Sequence, residues 1–442
     1  MDFTAQRLVF RPEDAGYDEE IAGFQTGFAT RPAIVFGARS TDDVVAAVSY
    51  AAAHALPIGV QATGHGLPAA CEGGVLVSTR RMDSVRVDAA ARTVTLGAGA
   101  TWGQVAEAAA PHGLAPLNGS APGVGAVSYT LGGGLGILSR EFGYAADHVR
   151  SLDVVTADGT PRHVTADGEP ELFWGLLGGG ANLGVVTGLE IGLVPVARLY
   201  GGAIAFDGRA GEPAALLRGY EAWTRTLPDE LTSSFSALVY PDAPQLPPHL
   251  RGRYLVSVRV AFTGTEAEGE RLVAPLRELG DAVSDTLREM PYAESHTIHS
   301  DPDFPHAYYG DSVVLSALDV AAAGELLALT GPAADAMHVV QVNQLGGALA
   351  RPAANAVPFR DAGWLIRILS PLDGTDVTAA RAVHAQAFGL VAHEAVGRSL
   401  NFAFGGGDRP EGLYDPHTRK RLAELKATYD PANLFRRNYD VS

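Results

Sequence analysis

The sequence predicts an α+β fold with more than one core, on three observations. Through the first two hundred residues, short strand patterns and brief helix patterns follow one another, interrupted by three glycine-rich runs. From about Gly201 longer amphipathic helices alternate with strands, the signature of an antiparallel sheet with helices on one face. A last helix signal, Asp415 at an N-cap followed by Pro416, closes the chain. At 442 residues and 47% hydrophobic, the protein can bury large cores, and its length suits two or three domains.

In chain order, AIVFGA (33–38) reads as a buried strand, and Ser40-Thr41-Asp42-Asp43 starts the apolar run Val44 to Ala55 as a helix. Pro57 ends that helix, IGVQAT is a second strand, and Gly64-His65-Gly66 turns the chain after it. VLVS (75–78), SVRVDA (84–89) and TVTLGAG (93–99) follow as strands, the last two a half-buried hairpin. A helix from Trp102 to His112 stops at Gly113. The stretch from Asn118 to Gly136 is expected to hold no regular element. SLDVVTADG and RHVTA, with Asp158-Gly159 between them, give a hairpin. ELFWGLL (171–177) reads as a helix and VVTGLEIGLVPV (185–196) as a long strand. Beyond Gly201, helices are expected over 212–225, 266–279, 320–329 and 376–393. Strands are expected over 255–262, 338–347 and 364–370, and the closing helix runs to about Tyr429.

Charge and composition exclude several function classes. A formal charge of −17 argues against a nucleic-acid surface, because phosphate contacts need clustered Lys and Arg. One cysteine, Cys71, rules out a disulfide framework and a multi-Cys metal site, so no metal is expected; that thiol is expected to be inert and buried. No apolar h-region follows the N-terminus, and no stretch approaches the roughly 18 apolar residues that span a bilayer. A cytoplasmic protein without a membrane partner is the expectation.

The 52 glycines are concentrated at QATGHG (61–66), YTLGGGLG (129–136) and LGGGANLGVVTG (177–188). Backbone N–H groups converge on a phosphate only where Cβ atoms do not block the approach. These loops therefore read as wrapping a dinucleotide pyrophosphate. Neither a GxGxxG fingerprint with a downstream acid nor a GxxxxGK[ST] run is present, which weakens nicotinamide-Rossmann and P-loop readings. Tight turns between packed strands are the competing explanation for each run.

QATGHG, the segment GSAPGVG…TADG (119–159), ELFWGLLGGGANLGVVTGLEI (171–191) and the terminal ATYDPANLFRRN (427–438) resemble the FAD-linked oxidases of the berberine bridge enzyme-like branch, within the vanillyl-alcohol oxidase superfamily. The likeness covers the first 200 and last 40 residues well and the middle in outline. It implies a two-part PCMH-type FAD-binding domain, residues 1–200 with a C-terminal return at 401–442. A substrate domain of antiparallel sheet plus helices, 201–400, would be inserted between them. It also implies FAD bonded through the His65 imidazole to the flavin 8α-methyl, flanked by Thr63, Gly64 and Gly66. Further cofactor contacts would come from Ala121, Val124, Gly125, Thr130, Gly132, Gly133, Gly134 and Gly136, then Asn182, Gly184 and Val186, then Asn401 and Phe402.

Three departures from the family pattern sharpen the reading. Members with two covalent bonds carry Cys where this chain has Ala121, so one bond is expected. Val124 stands at the position that tends to gate oxygen, with Val in O2-using members, which favours an oxidase. Ser399 stands where many relatives have a Tyr that takes the substrate proton, and the arginine often found before the GGH turn is replaced by the Gln61 to Thr63 neighbourhood.

Candidates near the reacting centre are Tyr129, Tyr144, Tyr308 within PHAYYGD (305–311), Asn343 beside Gln341 and Gln344, Asn401, and Arg367 as an anion binder or a core partner. Gln341 and Asn343 share one strand face, expected to point at the flavin. The function expected is oxidation of a small or medium organic substrate, often a specialised metabolite in this branch. Hydride would pass to flavin N5, with reoxidation by molecular oxygen to hydrogen peroxide, in a monomer or homodimer. A redox-neutral or monooxygenating cyclase, for which Ser399 speaks, and a metabolite-sequestering resistance protein are the alternatives.

Overall fold

The computed structural model describes residues 8–28, 30–67, 71–210, 212–244, 246, 248 and 250–441; the side chain of Cys71 lies outside them. The first strands are β1 (Leu8–Phe10), β2 (Thr30–Arg31), β3 (Ile34–Gly37), β4 (Ile58–Gln61), β5 (Cys71–Glu72) and β6 (Val75–Ser78). Four of them form a sheet in the order β1-β3-β6-β4, while β2 and β5 pair with each other. β3 and β4 both run parallel to β6, and a parallel neighbour requires a crossover. The helix Thr41–Ala53 supplies it. Ser40 caps this helix by accepting from Asp43 N, and Val44, Ala47, Val48 and Ala51 are its buried stripe. The sheet's core is completed from the far end of the chain: Leu434 and Phe435 pack with Ile34, Phe36, Val44 and Val48. The Ile58 amide donates to the Leu434 carbonyl at 2.8 Å. The helix Pro416–Tyr429, capped by Asp415, leads into that segment.

A second, antiparallel sheet contains β7 (Val85–Asp88), β8 (Thr93–Gly97), β9 (Val149–Val155), β10 (Pro161–Thr165) and β11 (Val185–Gly192), ordered β10-β9-β11-β8-β7. The expected hairpins β7/β8 and β9/β10 are present, with Gly159 at φ +75° in the second turn. The stretch expected to be without regular structure holds a six-residue helix, Ala126–Leu131. Five of its residues are buried, and it is too short, with glycine at either end, for a helical period to show.

The third sheet has nine strands among the described residues: β12 (Arg198–Asp207), β13 (Leu231–Val239), β14 (Tyr254–Phe262), β15 (Ala282–Asp285), β16 (Arg288–Pro291), β17 (Tyr308–Leu315), β18 (Val339–Gln344), β19 (Trp364–Pro371) and β20 (Ala395–Gly397). Their order is β15-β12-β14-β13-β18-β19-β17-β20, with β16 also on β12. PHAYYGD, read as a loop, instead enters β17, all of whose residues are buried; both faces are covered, so the period-two alternation is erased. One face of the sheet packs Phe235, Val256, Val258, Val342 and Ile366 against the helices Pro213–Thr224, Glu266–Arg277, Val320–Leu329 and Val377–Leu390. The other face is polar at its centre. Arg259, Ser234 and Asn343 form one row across it, and Ser236, Gln341 and Arg367 the next.

Candidate active site

β4 delivers the turn that carries His65. A Cβ at Gly64, whose φ is +72°, would fall 2.7 Å from the Cα of Gly23, so only glycine fits. The turn is held by backbone bonds from Phe24 N to Thr63 O (2.9 Å) and from Gln25 N to Gly64 O (3.0 Å). Tyr308 Oη donates to the His65 carbonyl at 2.6 Å. Around the imidazole, Phe24 stacks at 3.9 Å between centroids and 11° between planes, and Thr63 Oγ1 hydrogen-bonds His65 Nδ1 at 2.8 Å. Burial, with His306 nearby, pushes the His65 pKa down to about 4. The ring is therefore neutral at neutral pH and keeps a nitrogen lone pair. Its edge faces the GSAPGVG stretch: a Cβ at Gly123 would sit 3.5 Å from His65 Cε1.

The second glycine run is locked from across the molecule. Asn401 Oδ1 accepts from Gly134 N and Asn401 Nδ2 donates to Tyr129 O, each at 3.0 Å. A Cβ at Gly132 would meet that same amide at 2.9 Å, and one at Gly134 would meet Tyr129 Cε1 at 2.6 Å. Gly133 and Gly134 have φ of +106° and +80°, backbone conformations that side chains disfavour. Gly66, by contrast, has no atom of the described residues within 4 Å of where its Cβ would be, so among them the backbone is approachable there. Gln61 Oε1, Tyr129 Oη and Asn343 Oδ1 are buried without a hydrogen-bond partner among the described residues. Each such group costs about 1–3 kcal/mol. An approachable glycine turn, a neutral imidazole and uncommitted polar atoms together fit a large polar cofactor of the flavin dinucleotide kind.

Above these loops lies the polar face of the third sheet. The Arg367 guanidinium donates through Nε to Gln341 Oε1 at 2.9 Å and lies 4.5 Å over the Phe402 ring. A segment absent from the sequence reading, Tyr292 to Asp301, closes the space between that face and the flavin motif. Tyr292 Oη donates to Asn118 Oδ1 at 2.7 Å, and Ser120 Oγ donates to Asp301. Burial, with Arg259 and Arg367 adding to it, pulls the His299 pKa down to about 3. Burial works against the Asp301 charge, yet His299, Ser120, Arg367 and Arg259 hold that carboxyl below its usual range. Burial also lowers Arg367 to about 10 and shifts Arg259 downward. The only sequence signal for Arg259 was a charge within an otherwise apolar strand, LVSVRVAF.

The other singled-out residues are distributed more widely. Tyr144 packs near Leu345 and Leu365, with Arg360 5.0 Å over its ring and its pKa pushed up to about 12 by burial. Tyr129 is raised well above the ordinary phenol range, by burial first. Thr130 Oγ1 donates to Ala126 O, Asn182 Nδ2 to Gly179 O, and Val186 is buried in the core. A Cβ at Gly184 would meet Val154 at 2.7 Å, and one at Gly136 the Asn118 carbonyl at 2.7 Å. Val124 O accepts from Trp102 N and Gly125 stands at the N-cap of the short helix, while Ala121 is half-buried beside Ser120. Ser399 N donates to Ser312 Oγ at 3.1 Å. The structure thus gathers His65, Thr63, Tyr308 and the 119–125 stretch at one end of the cleft, and Asn343, Gln341 and Arg367 on its roof.

Residues 32–165 match the FAD binding domain family. Over 99% of this chain and 97% of its partner, the sequence is 29% identical to (R)-6-hydroxynicotine oxidase of Paenarthrobacter nicotinovorans. The crystal structure of 6-hydroxy-D-nicotine oxidase from Arthrobacter nicotinovorans superposes with a TM-score of 0.86, at 26% identity over 99% of this chain and 98% of that one. A glucooligosaccharide oxidase from Acremonium strictum, described as carrying 6-S-cysteinyl, 8α-N1-histidyl FAD, shares the fold with a TM-score of 0.85 at 20% identity, over 99% and 97% of the two chains. The α+β class with antiparallel sheets and the FAD-linked oxidoreductase activity rest on these likenesses together with the geometry above.

Proposed function

Because the chain belongs with the berberine bridge enzyme-like FAD-linked oxidoreductases, we propose that it is an oxidase whose flavin is bonded once, through His65. The observation that carries this reading is the neutral imidazole of His65, stacked on Phe24, hydrogen-bonded to Thr63 and edged toward Gly123. A neutral ring nitrogen is a competent nucleophile. Ala121 offers no second attachment atom.

A bound flavin would supply a two-electron acceptor for hydride from the substrate carbon and a donor to O2, with hydrogen peroxide as the product. The chain's own residues supply the rest. Gly64, Gly66 and the Gly132–Gly134 run leave backbone room for the dinucleotide, and Asn401 fixes that run. Residues 201–400 contribute the substrate side, with Asn343, Gln341 and Arg367 facing it. With the phenol replaced by Ser399, His299, neutral and in the segment that faces Arg259 and Arg367, is the proposed proton acceptor once a bound anion offsets the cations that lower its basicity. Tyr129 and Tyr308 serve poorly as bases, because burial raises both phenols above the usual range, and Tyr308 already donates to the His65 carbonyl. No helix among the described residues is long and apolar enough to cross a membrane.

Acid precipitation of the purified protein, followed by peptide mapping, tests the bond. Yellow colour is expected in the pellet on a peptide containing His65; colour released wholly to the supernatant refutes it. Ser399 also suits a redox-neutral or oxygenating reaction. Hydrogen peroxide formed one-for-one with substrate consumed supports the oxidase, and no peroxide supports the alternative.

A further inference from the structure

The roof of the cleft holds more positive charge than its protein partners use. Arg259 and Arg367 lie on β14 and β19, on the face turned away from the helices, with β13 and β18 between them. Three strand spacings and one two-residue step along the strand separate their backbones by about 16 Å, and the serine, glutamine and asparagine between them are shorter. Among the described residues, the Arg259 side chain makes no hydrogen bond and no ion pair. Among the same residues, Arg367 has only the neutral Gln341 as a hydrogen-bond partner. Both are half-buried, and burial shifts even these guanidinium groups downward. Taking a cation even partly out of water without a carboxylate partner is costly, and this face carries two. Between them Asn343 Oδ1 is buried and has no partner among the described residues. The one acid in the group, Asp301, is already held by Ser120.

We infer that this roof binds a substrate bearing a carboxylate, gripped between the Arg259 and Arg367 guanidinium groups over Asn343. The inference rests on the oxidase reading only for the use of this cleft by substrate. Charge counting selects the anion. Two arginines and Asp301, with His299 neutral, leave one net positive charge, which a monoanionic carboxylate cancels and a phosphate dianion overshoots. Guanidinium forks also match the planar carboxylate in geometry. An anion arriving beside His299 offsets the two cations that oppose its protonation, so the proton acceptor gains basicity only when substrate is present.

Calorimetric titration of the holoenzyme with benzoate, benzamide and phenyl phosphate tests this without knowledge of the natural substrate. Benzoate is expected to bind about tenfold or more tightly than benzamide, the value of one charge-assisted contact. Arg259→Gln and Arg367→Gln should each reduce that preference, read as the benzoate-to-benzamide affinity ratio within each variant. Equal binding of benzoate and benzamide by the unaltered protein overturns the inference even if neither variant folds, and tighter binding of phenyl phosphate overturns the choice of carboxylate. Acid-stable flavin is read on the same samples. Benzoate preference without acid-stable flavin removes the His65 reading alone, and acid-stable flavin without benzoate preference removes the carboxylate alone.

Discussion

Replacing Phe24 with alanine should convert flavin attachment from a pH-insensitive reaction into a pH-sensitive one. The attacking group is the unprotonated imidazole, and burial beneath Phe24 and its neighbours sets the His65 pKa at about 4 rather than 6.5. At pH 5.5 about 97% of the rings are then reactive, against about 9% for an imidazole at its ordinary value. Opening the stacked face in Phe24→Ala should move His65 toward that ordinary value, so attachment at pH 5.5 should fall by up to about tenfold relative to pH 8. The unaltered protein should hold its rate from pH 8 to about pH 5, fall to half near pH 4 and lose it below. Apoprotein from riboflavin-starved cells, mixed with FAD and followed by in-gel flavin fluorescence, gives both rates. Taking the ratio between two pH values within one variant cancels any loss of folded protein. A tenfold decline between pH 8 and 5.5 in the unaltered protein would refute the neutral-imidazole argument. An unchanged ratio in Phe24→Ala would show that stacking is not the source of the shift.

Val124→Leu should slow reoxidation of the reduced enzyme by O2 while leaving anaerobic reduction nearly intact, measured by stopped flow; equal reoxidation rates would remove Val124 as an oxygen gate. Gly134→Ala puts a methyl 2.6 Å from Tyr129 Cε1 at φ +80°, and should cost roughly 1–3 kcal/mol together with retained flavin. Unaltered urea midpoints and flavin content would contradict the cradle. Tyr129→Phe deletes a buried hydroxyl that no atom of the described residues satisfies; stability should be unchanged or higher by about 1 kcal/mol and turnover should stay within a few-fold. A large loss of turnover would instead give that phenol a direct part in the chemistry.

Local signals carried much of the fold. Ser40, Asp415 and Pro416 mark helix starts that the structure reproduces, and Asp158-Gly159 marks a true hairpin. Two failures have definite physical causes. β17 is covered on both faces, so alternation vanished, and the helix Ala126–Leu131 is shorter than two turns, so its period could not be seen. At the site, the glycine runs and His65 were legible because backbone geometry dictates residue type there. Arg259, His299 and Asp301 were not. They meet only through strand pairing and the Tyr292 to Asp301 segment, and no spacing along the chain encodes such a meeting. Asn401 was legible as a position, but its bonds to Gly134 and Tyr129, from 267 and 272 residues away, required the fold.

The first sheet is finished by residues some 370 positions further along the chain. Asp430, buried, accepts from Leu434 N, Phe435 N and Lys426 Nζ, and this knot seats Leu434 and Phe435 among the side chains of β3 and the Thr41–Ala53 helix. On the ribosome, the strand leading to His65 therefore waits, with its hydrophobic flank bare, until some 370 further residues have emerged. Until they do, the turn that carries the imidazole lacks the packing that backs it, so coenzyme capture follows the arrival of Leu434 and Phe435.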